Sequence, residues 1–380
     1  MAVPDASLII LGGGLAGGLI ALALAERRPE VAVTIVEAGA SLGGNHVWSF
    51  FESDIAPEDR ALVEPLIVHR WPAYDVRFPG HSRTIDQPYR SITSAHFDRV
   101  VRAAGPAIIH ATVASATPTP ISVTLTDGRT LTADAVIDTR GAGDQSALSC
   151  GWQKFVGQSL RLAAPHGLTR PVVMDACVDQ AEGYRFIYLL PFGPSEIFVE
   201  DTYYSDTADL DVPALTARIA AYAVAQGWQL AAPNHSETGV LPVLMGGDFD
   251  RFWPTSDPLA RAGARAALIQ PLTSYSLPDA VRFAAWFATQ PDLAAAETRA
   301  YARAHWQSGG FYRLLSTMLF RAADPPERFR ILDRFYRLPA PLIERFYAGR
   351  STLGDKVRIL AGRPPVSLAR AARAVLGNKK

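Results

Sequence analysis

The chain has 380 residues, 48% of them hydrophobic and 19% charged, where an ordinary soluble protein carries roughly 25% charged residues. This length supports more than one domain around a substantial core, and the low charge leaves an apolar region for the surface. Only Cys150 and Cys177 occur, which gives no disulfide framework and no metal-binding pattern and suits a reducing cytoplasm.

Leu8 to Leu11 reads as a strand buried on both faces, followed by a turn with the spacing Gly12-x-Gly14-x-x-Gly17. Gly12 allows the tight turn, Gly14 lets a pyrophosphate approach the backbone, and Gly17 lets the next helix pack on the strand. Leu15 and Ala16 complete the turn, and the helix from Leu15 to Arg28 offers free N–H groups to phosphates. Pro29 stops it, and Val31 to Val36 is a second strand ending in Glu37, at the distance where a carboxylate accepts from ribose hydroxyls. Read instead as a membrane span or signal peptide, Leu8 to Ala25 conflicts with its glycines and with Asp5. Glu37 as a solvated strand end is the simpler alternative.

A second glycine pair, Gly43-Gly44, precedes Asn45 and His46, an arrangement commoner in flavoproteins than in nicotinamide dehydrogenases, so the expected dinucleotide is FAD. Residues 66–90 alternate apolar and polar side chains around Pro and Gly and read as short antiparallel strands inserted into the nucleotide domain. Ser94 to Ala104 reads as a helix, Ile108 to Val113 as a strand, and Ile121 to Asp138 as a hairpin turned at Asp127-Gly128. Its second strand enters Asp138-Thr139-Arg140-Gly141, which returns the chain to the cofactor.

From Gly151 to Tyr204 the pattern is β-rich, with a hairpin of Phe186 to Leu190 and Glu196 to Thr202 as the floor of a substrate cavity. Residues 212–229 read as an amphipathic helix and Thr238 to Val243 as a strand. Ala262 to Ala285 reads as the strand, turn and helix by which flavoprotein chains return to the isoalloxazine ring. The rest is helical, broken at Ser308-Gly309-Gly310, Pro325-Pro326, Pro339 and Pro364-Pro365. From Arg282 onward there are eighteen Lys plus Arg against seven Asp plus Glu, a net +11 that leaves −11 for the remainder. The interspersed Phe, Tyr, Leu and Ile favour an anionic bilayer over nucleic acid as the partner of this end.

These readings give an α/β fold: a Rossmann-type FAD-binding domain (1–65, 92–150, 238–285), an inserted β-sheet substrate domain (66–91, 151–237), and a basic helical C-terminal region (286–380).

The segments GGGLAGG, GGNHVWSF, WPAYDVRFP, VIDTRG, QKFVGQ, VVMDA, FVEDTYY, GVLP, TSYSLPDAVRFA and FYRLPAPLIERFYAGRSTLGDKVRILAGRPP together resemble bacterial lycopene beta-cyclases of the CrtY type, from Leu8 to about Pro365. The resemblance implies a non-redox enzyme that needs reduced FAD, with NAD(P)H as electron source. It implies conversion of the two ψ-ends of lycopene to β-ionone rings by way of gamma-carotene, peripherally at the cytoplasmic side of the cell membrane. Other carotenoid-pathway enzymes are then expected as partners. Many relatives carry Phe-His-Pro-Thr-Thr-Gly-Tyr-Ser where this chain has Ile269-Gln270-Pro271-Leu272-Thr273-Ser274-Tyr275-Ser276, so Pro271, Thr273 and Tyr275 are carried over as flavin contacts.

Cyclising a polyene end requires a proton delivered, a carbocation held in a dry cavity, and a proton removed. The acid is expected at Glu200, a carboxyl kept protonated by apolar surroundings, with Asp201 as the ionised partner; in related cyclases an acidic residue of this motif is essential. Both as solvated or salt-bridged strand residues is the simpler alternative. Asp175 and Glu237 are weaker candidates, more readily read as structural. Trp48, Phe186, Tyr188, Phe192, Tyr203 and Tyr204 are candidate tunnel aromatics. Residues 328–350 are the expected membrane patch, against the alternative of a helical subdomain with an aromatic core. The competing functions are an FAD-dependent isoprenoid hydroxylase or reductase and a non-enzymatic carotenoid-binding protein.

Overall fold

A computed structural model describes residues 6–118, 121–180 and 183–361, with 369–370 and 373–374; residues 118 and 230–234 are described by backbone only. Pro364-Pro365 lies outside them. The chain begins with β1 (Ala6–Leu11), α1 (Leu15–Arg27) and β2 (Val31–Glu37), followed by β3 (Val47–Phe51), α2 (Arg60–Val63), β4 (His69–Trp71), β5 (Tyr74–Phe78), β6 (His81–Ile85), β7 (Tyr89–Thr93) and α3 (Ser94–Ala103). Next come β8 (Ala107–His110), β9 (Val113–Pro118), β10 (Ile121–Leu125), β11 (Thr130–Thr132) and β12 (Ala135–Asp138). The middle contains β13 (Leu148–Leu162), β14 (Val172–Asp175), β15 (Arg185–Gly193), β16 (Glu196–Ser205), α4 (Val212–Ala225) and β17 (Leu230–Gly247). The last part is α5 (Phe249–Phe252), β18 (Ala260–Arg261), α6 (Leu277–Phe287), α7 (Ala295–Ser308), α8 (Gly310–Arg321), α9 (Phe329–Phe335), α10 (Ala340–Tyr347) and α11 (Leu353–Leu360).

Parallel pairing in the order β18-β12-β1-β2-β8 builds the nucleotide sheet. Leu8, Ile10 and Leu11 of β1 are almost fully buried, as a central parallel strand covered on both faces requires. The expected hairpin over 121–138 is shorter: β10 pairs with β11, while β12 leaves it and joins β1 in parallel. Its four residues are all buried, and the parallel sheet is where that apolar surface is covered.

The larger sheet has the order β17-β13-β16-β15-β14-β5-β6. The inserted segment divides between two sheets: β5 and β6 extend the large one, whereas β4 and β7 pair with β3 in a small one. β17 runs unbroken through residue 238, so the expected domain boundary there falls inside one strand. One face of the large sheet packs against α4 through Val156, Ile187, Val199 and Ile219. The other carries Phe186, Phe198 and Tyr204 toward the C-terminal helices, where Phe335, Tyr336, Phe346 and Tyr347 are buried. No helix among the described residues is long and apolar enough to cross a membrane.

Candidate functional site

The glycine turn is shaped for a close approach. Gly12 has φ +96°, and a side chain there would press on the Arg140 backbone at 3.3 Å. A Cβ on Gly17 would fall 2.2 Å from the Gly12 carbonyl oxygen, so only glycine lets α1 sit on the turn. A Cβ on Gly14 would meet nothing within 4 Å, and α1 has no side-chain cap at this end. Open space thus faces uncapped N–H groups beside buried Leu15 and half-buried Ala16, the arrangement that receives phosphates.

Glu37 accepts from Gly13 N–H through Oε2 and from Gly39 N–H through Oε1, both at 2.7 Å. Each carboxylate oxygen keeps a second lone pair, so a ribose remains compatible with this carboxylate. Asp138 is placed differently from the expectation of direct cofactor contact. Its buried carboxylate is committed to Arg140 (2.9 and 2.8 Å) and to Arg265 Nε (3.0 Å), and these charges hold it below the usual range despite burial. It anchors Arg140, which lies against Gly12, and Arg265, which lies against Gly143; Arg265 was not anticipated from the sequence. Gly44 and Gly141 both have positive φ, and a Cβ on either would meet nothing closer than 3.8 Å.

The loop over 269–276 docks along the outer edge of β17. Pro271 O accepts from Leu244 N–H at 2.8 Å, and the Ser274 hydroxyl donates to Pro242 O at 2.7 Å. Ser274 stands at φ +57°, in the left-handed region, at the position where many relatives have glycine. Gln270, in place of the relatives' histidine, accepts from Leu272 and Thr273 N–H at 2.6 and 2.9 Å and so folds the loop upon itself. Tyr275 donates to Ser49 O at 2.6 Å. The Thr273 hydroxyl is buried without a partner among the described residues, and Thr273 lines a cavity of about 320 Å³ that also receives His46, Ser274 and Tyr275. An orphaned hydroxyl and open glycine positions meet what a planar, polar-edged cofactor needs.

The same cavity is walled by Trp48, Phe186, Tyr188 and Tyr204, and also by Phe51, Tyr89, Phe155, Phe198 and Tyr347. Phe192 instead stacks on His69 at 4.2 Å, and Tyr203 sits with α4 on the opposite face of the sheet.

Glu200 lies deep in the protein, and its partial exposure is to the cavity that it lines. Burial, then the charge of Glu237, push its carboxyl up to about 8, while the Thr202 hydroxyl donating at 2.5 Å acts against them. Asp201 is its opposite. Successive strand residues face opposite sides, so Asp201 is buried against α4 and takes a bidentate contact from Arg185 at 2.8 Å on each oxygen. The expected Glu200-Asp201 pair is therefore split by the pleat of β16.

The carboxylate that does accompany Glu200 is Glu237, a weaker candidate from the sequence, where a structural role was the readier reading. It lines the cavity, is 2% exposed, and accepts from Val47 N–H at 2.8 Å through Oε2. His46 Nδ1 stands 3.4 Å from the same oxygen, and Asn45 is tied to Ser236 O at 2.8 Å. Register brings the acids together: Glu200 is opposite Gly157, and Gly157 is opposite Glu237. The glycine within QKFVGQ was the available signal, but it means something only once three strands are aligned. Asp175, by contrast, is occupied by Tyr222 OH at 2.8 Å and Cys177 N–H at 3.0 Å.

The family profile described as "Lycopene cyclase protein" matches residues 7–373. The chain is 45% identical to the lycopene beta-cyclase of Pseudescherichia vulneris, over 98% of this chain and 97% of that one. It is 45% identical to that of Pantoea ananas, over 98% of each, and 41% identical to that of a Paracoccus strain, over 96% of each. In fold it is similar to a geranylgeranyl bacteriochlorophyll reductase-like protein of Thermoplasma acidophilum (TM-score 0.62, 13% identity, 98% of this chain and 99% of that one). It is likewise similar to Klebsiella pneumoniae HpxO, solved with FAD (TM-score 0.61, 13% identity, 92% and 100%). From its sequence over nearly its whole length, this chain belongs to the lycopene cyclase family.

Proposed function

We propose that the protein is an FAD-dependent lycopene beta-cyclase in which Glu200 is the acid. The observation that carries this reading is the Glu200 carboxyl, set in an aromatic cavity with His46 and Thr273 on its lining, where burial pushes its pKa up. Gly12, Gly14, Gly17 and Glu37 would hold the adenosine and pyrophosphate side of FAD, steered by Arg140 and Arg265. Gly44, Asn45, His46, Gly141, Pro271, Thr273 and Tyr275 would surround the rest. When bound and reduced, with NAD(P)H as electron source, FAD would supply negative charge that stabilises a carbocation.

The chain's own residues do the remainder. Glu200 gives its proton to the terminal double bond of a ψ-end, and the aromatic walls keep water away from the resulting cation. The faces of Trp48, Phe186 and Tyr188 stabilise it until the ring closes. The sequence runs from lycopene through gamma-carotene to beta-carotene.

The substrate is insoluble in water, and a route from a bilayer fits the C-terminal region. Of the aromatics of 328–350 that were expected at the membrane, Phe335, Tyr336, Phe346 and Tyr347 are core residues and Phe329 is half-buried against them, and Arg328 is buried against Asp206. The exposed apolar stripe lies instead on α11, where Leu353, Val357 and Leu360 are 78%, 60% and 47% exposed. Their spacing puts them on one helix face, with Arg350 and Arg358 exposed nearby. Leu360 also lines an apolar groove that reaches Leu272, the neighbour of cavity-lining Thr273. This supports a peripheral enzyme on the anionic cytoplasmic face of the cell membrane, where other carotenoid-pathway enzymes would be its partners.

Reductant stoichiometry tests the reading. A cyclase forms rings anaerobically with reductant used only to prime the flavin. NAD(P)H consumed in proportion to product, or a need for oxygen, would replace it by an isoprenoid reductase or hydroxylase.

A further inference from the structure

The cyclase reading leaves open which group removes the proton that ends the reaction. Resting on that reading, we propose that Glu237 is the proton acceptor, the counterpart of Glu200 across Gly157.

Three observations support it. First, Glu237, Gly157 and Glu200 occupy one row across β17, β13 and β16, and directly opposed residues share a face of the sheet. Between them there is no side chain: a Cβ on Gly157 would fall 2.3 Å from Phe198 Cζ and 3.2 Å from Glu237 Cγ. The two carboxyls thus reach into one cavity from either side of a gap. Second, their partners differ in kind. Val47 N–H and His46 both meet Oε2 of Glu237; among the described residues no donor meets Oε1, which leaves that oxygen to take a proton. Third, Glu237 is as deeply buried as a core residue yet is held by the segment 45–47, so its position is fixed from outside its own strand.

The step balances. The π pair of the terminal alkene takes the proton of Glu200 and forms a C–H bond, and the π pair of the next alkene closes the ring C–C bond. The C–H pair beside the new cation becomes the ring double bond, and its proton passes to Oε1 of Glu237. The substrate gains and loses one proton, and the enzyme resets when Glu237 releases its proton to solvent and Glu200 takes one up from it.

The test uses the full chain with FAD in liposomes containing lycopene, with Glu237→Gln and Glu237→Asp compared with the wild type. Flavin binding and thermal unfolding identify any variant that has not folded. Loss of the base is expected to lower β-ring formation by about 100-fold or more, with Glu237→Asp restoring part of it. The residual product of Glu237→Gln is expected to include rings whose double bond lies elsewhere, because the cation then loses a different proton. Glu237→Gln forming β-rings at the wild-type rate, or folded Glu237→Gln yielding only β-rings at reduced rate, would overturn the assignment. A wild type that leaves lycopene unchanged strikes down the cyclase reading itself, which is a different result.

Discussion

Burial takes the Glu200 carboxyl out of water, and that sets both its chemistry and its pH dependence. Folded, it keeps its proton to about pH 8, whereas the unfolded chain releases it near the ordinary value of 4.5. Between these limits the folded protein binds the extra proton, so this residue's contribution to stability is lost as pH rises, by up to about 1.4 kcal/mol per unit. Glu200→Gln is expected to flatten that fall, measured by urea unfolding between pH 5 and 9. Ring formation by the wild type should decline as pH rises through about 8. Asp201→Asn has a different expected outcome: it leaves Arg185 partly buried without its anion and costs about 3–5 kcal/mol of stability. The protein that remains folded should keep its ring-forming rate, read as activity per folded molecule. At Ser274 the left-handed backbone is stabilised by the hydroxyl bond to Pro242. Alanine keeps the strain and loses the bond, so Ser274→Ala should cost about 1–2 kcal/mol in chemical unfolding. Ser274→Gly should cost less.

The first βαβ unit was legible in the sequence because its signals are local: a buried strand, three spaced glycines, a proline stop and an acid at the next strand end. Helix breaks at Gly309 and Pro339 were legible for the same reason, and α8 and α10 begin just beyond them. What depended on pairing was not. The strand over 135–138 could not be assigned to β1 from its own residues, and the split of residues 69–93 between two sheets is a matter of partners. The acid pair belongs to this class. Glu200 stands out within FVEDTYY, but Glu237 acquires its neighbour only through the register of β13 with β16 and β17. Gly157 is therefore the element-level test. Gly157→Ala introduces a methyl against Phe198 and Glu237, and overpacking of this kind costs about 1–3 kcal/mol. Because the displaced atoms belong to the cavity, ring formation should fall further than the folded fraction does, as shown by comparing activity with thermal unfolding.

The whole molecule combines a parallel sheet, a large, mostly antiparallel sheet with one face on the aromatic cavity, and a basic helical end. The net +11 of the last quarter was legible by counting, but not its use: the aromatics of 328–350 are packed inside, and the apolar stripe emerged on α11. Leu353→Ser, Val357→Ser and Leu360→Ser together should weaken binding to anionic vesicles at least about tenfold, since burying even part of each side chain stabilises the contact by about 1 kcal/mol. Sedimentation with liposomes reads this effect, and added salt should weaken the wild type's binding too. At the scale of the whole reaction, Glu200 is expected to protonate a lycopene end with no net electron transfer. Its most direct test is anaerobic turnover in heavy water, with FAD and catalytic reductant, comparing the wild type with Glu200→Gln by mass spectrometry of the pigments. The wild type is expected to give gamma- and beta-carotene carrying a deuterium for each ring formed, and Glu200→Gln to leave lycopene unchanged. Rings without deuterium, or equal ring formation by the two proteins, would contradict it.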